Sequence, residues 1–386
     1  MKYIFQFGIN PHLSKTEISY VLPHFQEISS FSQSFFLYEG EISNAQKLIE
    51  QLGGTIRIAE MIEEISIKEL SQAIAEFLIK NHKEGKLNFG ITSFCGFRDN
   101  RKVLNEVKKL LKGSISIRFA NRNFQNLDAG TLHKEKLLSK GFEIMILKKG
   151  EKFTIFHTIA AQNIDKFSER DYKKPFRDME VGMLPPKLAL MMLNFTRENG
   201  ILPKSIYDPF CGTGTVLIEG ENLGLRALGS DISEKVLEMS RKNLEYFFGK
   251  KERKIFKQDA RDAFKKELES EAICCEAYLG PIFKRSLNEK DLEKALSDTE
   301  DVIYGFLRNM HTKIKGDRAV IALPFWQTQK GEIFLKKVLE IIEKFWENRT
   351  VSLTNRPRKS LLFRRKEQKV GREIIILQKR SSVAQR

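Results

Sequence analysis

In the second half of the chain, short apolar runs alternate with longer segments whose apolar residues recur every three to four positions. Short apolar runs are typical of buried strands, and the recurring spacing is typical of amphipathic helices. Alternating strands and helices predict a doubly wound α/β fold with a mostly parallel, seven-stranded sheet. The predicted strands are Ile206–Tyr207, Ala227–Ser230, Ile255–Lys257, Ala272–Cys275, Arg318–Phe325, Thr350–Thr354 and Glu373–Gln378, and the predicted helices are Lys187–Glu198, Val216–Leu223, Glu234–Phe247 and Ala260–Leu268.

In the first 160 residues, short strands and helices are interleaved in a way that predicts two small α+β modules, at residues 1–53 and 54–160. Residues 161–186 are rich in charge and end in a Pro-Pro pair before a helix, so they are predicted to be a linker. The α/β domain then covers residues 187–380, and residues 381–386 form a basic tail. The predicted elements are strands at Tyr3–Phe7, Glu27–Tyr38, Leu87–Phe94, Ser114–Phe119, Phe142–Lys148 and Lys152–Ala160, and helices at Leu13–Leu22, Asn44–Leu52, Ile67–Asn81 and Asn100–Lys112.

The charge of the chain is strongly basic and unevenly distributed. Its 386 residues carry 66 Lys and Arg against 50 Asp and Glu, a formal net charge of +16. Residues 101–150 hold 12 basic and 4 acidic side chains, and residues 351–386 hold 11 and 2. Concentrated basic surface binds polyanions with release of counterions, so nucleic acid is the first partner to consider. The candidate RNA-binding residues are Lys102, Lys108, Lys109, Arg118 and Arg122, and the alternative is that they only form a solvated helix face.

Other features of the composition exclude whole classes of protein. The mean hydropathy is −0.35, and no apolar run approaches the roughly 18 residues of a membrane span. The first apolar stretch, Tyr3–Phe7, is too short for a signal peptide. Four cysteines without CxxC spacing and six histidines outside metal-ligand spacing argue against a disulfide scaffold and a metal site. We therefore expect a cytoplasmic protein that does not contact membranes.

The most informative motif is the octapeptide Asp208–Thr215, DPFCGTGT, between a predicted strand and a predicted helix. Gly212 and Gly214 let the backbone turn sharply and approach a ligand. Leu217 stands where a dinucleotide fingerprint has its third glycine, and the Gly-Lys-Ser/Thr of a P-loop is absent. Asp208 would repel a pyrophosphate, whereas it suits a ligand with an ammonium group beside its carboxylate, such as S-adenosylmethionine.

Two further carboxylates follow the next two predicted strands. Asp231 can accept from both hydroxyls of a ribose, and Asp259 can accept from an adenine amino group. Each position has a structural alternative, because Gly-x-Gly is common in turns and an aspartate often only caps a helix. Three acidic strand ends around one glycine loop nevertheless predict an S-adenosylmethionine site. Its predicted residues are Asp208, Phe210, Gly212, Gly214, Asp231, Ile232, Asp259 and Ala260.

This motif, preceded by residues 182–189 (GMLPPKLA), resembles that of THUMP-containing RNA methyltransferases, and most of all the tRNA guanosine-10 N2-methyltransferase group. Residues 7–17 and 368–373 (QKVGRE) resemble the opening and the closing hairpin of that group. The resemblance implies a ferredoxin-like module, an RNA-binding THUMP module and a Rossmann-like methyltransferase domain, in that order along the chain. It also implies that the acceptor end of tRNA is bound and that an exocyclic guanine amine is methylated. It leaves open a small activating protein subunit and the oligomeric state.

In that family the amine is held by Asp/Asn-Pro-Pro-Tyr/Phe after the fourth strand, whereas residues 276–279 of this chain read EAYL. We predict that Glu276 accepts an N–H of the amine and that Tyr278 stacks on the base. The neighbouring Cys275 could instead attack a cytosine, although small core residues are the simpler interpretation of Cys274 and Cys275.

Two other functions are also consistent with the sequence. One is an RNA-binding or RNA-chaperone protein of low catalytic activity that retains the cofactor fold. The other is a DNA amino-methyltransferase, against which the THUMP-like half argues, because such an enzyme would need a base-reading domain.

Overall fold

A computed structural model describes residues 1–22, 32–177, 183–262, 264, 268–281, 289–351 and 359–380. The chain divides into two units, residues 1–15 with 24–168 and residues 16–23 with 169–386. In the described part of the chain, no helix has both the length and the apolar character needed to cross a bilayer. The predicted basic tail 381–386 and the beginning of the predicted strand Glu27–Tyr38 lie outside the described residues.

The first unit is built on one mixed, seven-stranded sheet. The elements of residues 1–172 are β1 (Lys2–Phe7), α1 (Pro11–Val21), β2 (Phe35–Glu39), α2 (Ala45–Glu50), β3 (Thr55–Ser66), α3 (Leu70–Asn81), β4 (Leu87–Phe94), α4 (Asn100–Leu110), β5 (Ile117–Phe119), α5 (Ala129–Lys134), α6 (Leu137–Lys140), β6 (Gly141–Lys149), β7 (Lys152–Ala161) and α7 (Ile164–Tyr172). The strand order is β2-β1-β3-β7-β6-β4-β5. Strands β4, β5 and β6 are mutually parallel, and the other pairs are antiparallel.

Four elements of this half escaped the sequence pattern, namely β3, α5, α6 and α7. Strand β3 is the longest of its sheet and lies between β1 and β7, yet Arg57, Glu60, Glu63 and Glu64 interrupt its apolar run. Helix α7 lies inside the predicted linker 161–186. Because β3 pairs with both β1 and β7, strands of both predicted modules share one sheet. The boundary at residue 53 stays a prediction.

The second unit contains the predicted doubly wound domain. Its elements are α8 (Pro186–Asn194), β8 (Ser205–Asp208), α9 (Thr215–Asn222), β9 (Arg226–Asp231), α10 (Glu234–Phe248), β10 (Ile255–Lys257), β11 (Ala272–Glu276), α11 (Glu289–Lys313), β12 (Arg318–Thr328), β13 (Gly331–Phe334), α12 (Lys337–Phe345), β14 (Trp346–Asn348), β15 (Leu361–Phe363) and β16 (Val370–Lys379). The main strand order is β10-β9-β8-β11-β12-β16-β14, and β13 and β15 add to β12 and β16. Strands β8 to β12 are parallel and β16 runs against both of its neighbours, which confirms the mostly parallel α/β fold.

Two predicted elements of this domain were wrong where the structure describes them. Residues 260–262 of the predicted helix Ala260–Leu268 form a turn, because the Asp259 side chain accepts from the backbone N of Arg261 at 2.9 Å. In the predicted strand Thr350–Thr354, Thr350 and Val351 are not in a strand, and residues 352–354 lie outside the described part. The Thr350 hydroxyl instead accepts from the backbone N of Ile376 at 2.8 Å, where a strand would offer a carbonyl.

The sheet order decides where a ligand can bind. Strand β8 has β9 on one side and β11 on the other, so the connections leave it in opposite directions along the sheet. In doubly wound sheets, ligands bind in the crevice that this reversal opens at the carboxyl ends of the strands. The residues at those ends are Asp208 on β8 and Glu276 on β11.

Candidate functional site

A cavity of about 640 Å³ opens at the carboxyl ends of β8, β9 and β11. This volume lies within the range of small-molecule sites, roughly 300–1,000 Å³. The structure brings nine predicted site residues together in its wall, namely Asp208, Phe210, Gly212, Asp231, Ile232, Asp259, Ala260, Glu276 and Tyr278.

Asp208 lines the cavity at the end of β8. Its side chain is buried, and its Oδ1 accepts from the backbone N of Phe210 at 3.0 Å. Burial raises the pKa of Asp208 well above its usual range, and the nearby carboxylates of Asp231 and Glu276 raise it further. A cationic ligand would lower the cost of holding this carboxylate ionised.

Asp231 joins the glycine loop to the end of β9. Its Oδ2 accepts from the backbone N of Gly212 at 3.1 Å, and its Oδ1 accepts from the backbone N of Ser233 at 3.0 Å. Ser233 in turn caps α10, since its hydroxyl accepts from the backbone N of Val236 at 3.4 Å. Asp231 is therefore held at the cavity wall by two loops. Each of its oxygens can accept one more hydrogen bond, for example from a hydroxyl group of a ligand.

Asp259 is paired with Arg261 in this structure. The Arg261 Nε lies 3.0 Å from Oδ1 of Asp259, and its Nη2 lies 2.6 Å from Oδ2. These hydrogen bonds lower the pKa of Asp259 and keep its carboxylate ionised. A contact from Asp259 to an adenine amino group stays a prediction, and Arg261, which also lines the cavity, is a residue that sequence reasoning missed.

Gly214 does not line the cavity but supports the loop from behind. Its φ is +90°, and a Cβ atom added to it would lie 2.6 Å from the Ser240 hydroxyl oxygen on α10. The site thus requires glycine at this position for two reasons, the left-handed backbone and the close approach of α10.

We expect Gly214→Ala to lower the free energy of unfolding by about 2–4 kcal/mol, because it adds a steric clash to left-handed strain. Gly224→Ala is the matched control, since Gly224 has a φ of +82° and no atom within 4 Å of an added Cβ. Urea unfolding of both variants measures the difference. Equal destabilisation of the two would show that the contact with Ser240 does not matter.

Glu276 lines the cavity at the end of β11, with 17% of its side chain exposed. Its Oε1 accepts from Nε of Arg372 on β16 at 2.6 Å. Tyr278 is 41% exposed, and Asp298 and Asp301 of α11 line the same cavity. Sequence reasoning missed Arg372 and both α11 aspartates, because nothing local in the sequence links them to the glycine loop.

The cysteines near the site are ordinary core residues. Cys275 is fully buried, and Cys211 is 4% exposed. Burial raises the pKa of both thiols well above the usual range, and nearby Asp208 raises it further. Since a nucleophilic cysteine needs a low pKa and access to its substrate, the geometry favours the core interpretation.

A buried lysine behind the glycine loop was also missed, because it falls in the predicted linker. Lys174 is 4% exposed, and its Nζ donates to the hydroxyl of Thr215 at 3.1 Å and lies 3.5 Å from that of Thr213. Close by, Arg170 and the buried Glu219 form an ion pair at 2.6 Å. Burial lowers the pKa of Lys174 from 10.5 to about 8.

This pKa shift predicts a dependence of stability on pH. Between pH 8 and 10.5 the unfolded chain binds a proton at Lys174 that the folded chain has released, so the contribution of Lys174 to the free energy of unfolding rises with pH, by about 3 kcal/mol. Lys174→Met should lack this rise, whereas the exposed Lys173→Met should keep it. Urea unfolding at pH 7 and pH 10 tests this, and identical pH dependence in both variants would contradict it.

The five candidate RNA-binding residues, Lys102, Lys108, Lys109, Arg118 and Arg122, are all exposed on the first unit. Helix α4 buries Val103, Leu104 and Val107 and leaves its lysines in solvent. Two cation–π contacts join α4 to the segments that carry the arginines, since Lys108 lies 5.9 Å from the Phe119 ring and Arg101 lies 5.3 Å from the Phe124 ring. Arg118 also pairs with Glu135 at 2.9 Å.

Residues 174–322, which include this cavity, match the model of the UPF0020 family, described as RMKL-like, methyltransferase domain. This part of the chain is a methyltransferase domain. A tRNA (guanine(10)-N2)-dimethyltransferase of Methanothermobacter thermautotrophicus is 26% identical over 258 residues, 66% of this chain and 70% of that protein. One of Pyrococcus abyssi is 34% identical over 154 residues, 37% of this chain and 45% of that protein.

The fold of the chain is also found among solved structures. The crystal structure of TrmN from Thermus thermophilus superposes with a TM-score of 0.56 and covers 98% of this chain and 100% of its own, at 12% identity. At this identity the likeness concerns the fold alone.

The wall of the methyltransferase domain's cavity fits S-adenosylmethionine. Asp208 and Asp231 line it with two carboxyl groups that could accept from the ammonium group and the ribose hydroxyls of the cofactor, and Gly212 would leave room for a ligand beside the backbone. Phe210 and Ile232 add apolar surface to the cavity wall, which would suit the adenosine. Asp208, Asp231 and the glycine loop are the residues that would hold the cofactor.

Proposed function

We propose that this chain is an S-adenosylmethionine-dependent tRNA methyltransferase that methylates the exocyclic N2 amine of a guanosine. One observation carries the proposal. The glycine loop with Asp208 and Asp231 faces Glu276 across a single cavity at the point where the strand order of the sheet reverses. A methyl donor and an amine acceptor can therefore lie in the same enclosed space.

The substrate class is supported by the names of the relatives, both tRNA (guanine(10)-N2)-dimethyltransferases. It is also supported by the basic side chains of α4 and its neighbours, which offer phosphate contacts. With tRNA as substrate, we expect the protein to act in the cytoplasm.

Each residue of the cavity has a distinct task in the proposed reaction. When bound, S-adenosylmethionine would supply an electrophilic methyl group, whose C–S bond breaks as the N–C bond forms, and would leave as S-adenosylhomocysteine. The lone pair of a guanine N2 amine is delocalised into the ring, so Glu276 accepts an N–H of that amine and increases the electron density on nitrogen. Tyr278 presents a half-exposed ring on which the base can stack. After the N–C bond forms, the nitrogen releases one proton, for which the Glu276 carboxylate is an acceptor in the cavity.

The test is incubation of the purified protein with unmodified tRNA and radiolabelled S-adenosylmethionine, followed by nucleoside analysis. Label in N2-methylguanosine or N2,N2-dimethylguanosine is the expected result. Label in another nucleoside would keep the cofactor and overturn the base. Cofactor and tRNA binding without label would instead favour an RNA-binding protein of low catalytic activity, and the assay repeated with a cell extract would then reveal a missing activating subunit. Labelling of DNA rather than tRNA would favour a DNA amino-methyltransferase.

The basic surface of the first unit predicts a salt-dependent loss of tRNA affinity on mutation. Replacing Lys102, Lys108 and Lys109 together with alanine should weaken tRNA binding by about 10-fold or more and lower the salt dependence of the binding constant, because phosphate contacts release counterions. Lys83, Lys86 and Lys112, which are also exposed, make a control triple variant of equal charge. Filter binding at several salt concentrations measures both effects, and equal losses in the two variants would point to net charge rather than to a site.

A further inference from the structure

The buried contact between Glu276 and Arg372 crosses the centre of the methyltransferase sheet. Glu276 on β11 pairs in register with Ala322 of β12, and Arg372 on β16 pairs with Pro324 of the same strand. The Arg372 side chain is only 2% exposed, and its Nε donates to Oε1 of Glu276 at 2.6 Å. Its Nη1 also donates to Oε1 of Gln368 at 3.1 Å. The guanidinium is therefore held through two of its nitrogen atoms, Nε and Nη1.

The stability of the domain does not account for this pair. Moving two charges out of water costs several kcal/mol each, and apolar residues of the same volume are often as stable or more so. The register partners of the two residues on the intervening strand β12 are Ala322 and Pro324, which are apolar and buried, so apolar residues in place of the pair would have apolar neighbours. A charged pair at this position, with its carboxylate in the wall of the cavity, points instead to a role in the site.

We propose that Arg372 is a positioning residue, which binds one oxygen of Glu276, directs the other oxygen into the cavity and keeps the carboxylate ionised for the amine. The proposal rests on the proposed function for the identity of that amine. It also explains how glutamate can stand where the resemblance to the RNA methyltransferases implies a shorter aspartate or asparagine, because Arg372 fixes a longer side chain that would otherwise be mobile.

The charges around Glu276 make such a partner necessary. Burial raises the pKa of Glu276, and Arg372 is the group that lowers it. Among the described residues, Asp208 at the end of β8 and Cys275 in the same strand also interact electrostatically with Glu276, and both are acids. The other charged side chains that line the cavity are four aspartates and Arg261, which is paired with Asp259; the aspartates are Asp231, Asp259, Asp298 and Asp301. Without Arg372, the carboxylate would be protonated at a higher pH and would lose its ability to accept from the amine.

The contact between Arg372 and Glu276 also leads to a specific prediction for the variant Glu276→Gln. In Glu276→Gln, Arg372 donates to the amide oxygen and so turns the NH₂ group toward the cavity, where it meets the N–H groups of the substrate. This variant should therefore be strongly impaired, although an amide oxygen is by itself a good acceptor. In Glu276→Gln combined with Arg372→Met, the amide is free to rotate, and at least a 10-fold recovery of kcat over the single Gln variant is expected.

Four variants and two readouts test the proposal. The variants are Arg372→Met, Glu276→Gln, the double variant, and Arg253→Met as a matched control. Arg253 and Glu221 form a second mostly buried ion pair, with 2.8 Å between Nε and Oε1, and neither residue lines the cavity. The first readout is kcat for tRNA methylation against pH. The second needs no activity and is a ¹³C NMR titration of protein labelled at the glutamate carboxyl carbon, in which the resonance lost in Glu276→Gln identifies Glu276. Thermal unfolding and binding of S-adenosylhomocysteine establish that each variant is folded.

We expect Arg372→Met to raise the pKa of Glu276 by at least about one unit and to shift the acid limb of the kcat profile to higher pH by the same amount. Arg253→Met should lose stability without either shift. An unchanged titration of Glu276 in Arg372→Met would overturn the proposal, as would a shifted titration with an unshifted kcat profile. If the titration shifts but the wild-type protein methylates no RNA, the proposed function is wrong while the ionic role of Arg372 stands.

Discussion

Replacing Glu276 with alanine should lower kcat for tRNA methylation by about 10²–10⁴-fold, while the Kd for S-adenosylhomocysteine changes little. The variant removes the acceptor for the amine N–H and for its departing proton, and such groups typically contribute rate factors of that size. It leaves Asp208, Asp231 and the glycine loop in place. Single-turnover methylation with saturating tRNA measures the chemical step, and isothermal titration calorimetry measures cofactor binding.

The buried guanidinium of Arg372 complicates this variant, because it loses its carboxylate partner. Removing one member of a buried pair costs about 3–5 kcal/mol of stability. The rate should therefore be measured well below the melting temperature, and Arg253→Ala, which breaks the buried pair with Glu221, is the control for lost stability. A residual rate within threefold of the wild type would exclude Glu276 from the chemistry.

Replacing Asp231 with alanine should raise the Kd for S-adenosylhomocysteine by about 10²-fold or more. Asp231 is proposed to accept from ribose hydroxyls, and hydrogen bonds to a charged group contribute about 1.5–3 kcal/mol each. The same carboxylate also accepts from the backbone N of Gly212 and of Ser233, so the glycine loop would lose its anchor to β9. Calorimetric titration of the variant measures the loss directly.

Asp262 offers the matched control for that experiment. It is an exposed aspartate outside the cavity wall, so Asp262→Ala removes one negative charge from the same region without touching the ligand site. The Kd of Asp262→Ala for S-adenosylhomocysteine should remain within about twofold of the wild-type value. Comparable weakening in both variants would mean that the general negative charge, and not the Asp231 carboxylate, attracts the cofactor.

In the second half, strands β8 to β12 and β16 and helices α8 to α10 could be predicted from local pattern alone, whereas β13, β14, β15 and α12 were not predicted. Strands β8, β9, β10 and β11 are three to six residues long and each contains a short apolar run, which is visible without knowledge of its neighbours. Helix α11 and strand β3 escaped because charged residues interrupt their apolar pattern, and the turn at residues 260–262 escaped because a side-chain hydrogen bond of Asp259 ends the expected helix.

The residues of the cavity also fall into those that the sequence predicts and those that only the structure reveals. Asp208, Asp231 and Gly212 could be assigned to one site because each follows a strand of a parallel sheet, and the carboxyl ends of such strands share an edge. The sequence by itself therefore determined the fold class of this domain, the glycine loop and the carboxylates around it. These depend on residue type and on spacing along the chain.

Only the tertiary structure decided which side chains control those carboxylates. Glu276 and Arg372 are 96 positions apart and meet because β11 and β16 flank β12. Lys174 meets Thr215 across 41 positions. Such contacts are set by strand order and packing, for which one sequence carries no local signal. They decide the pKa of a buried acid or base, because in the interior a single neighbouring charge outweighs what solvent would supply.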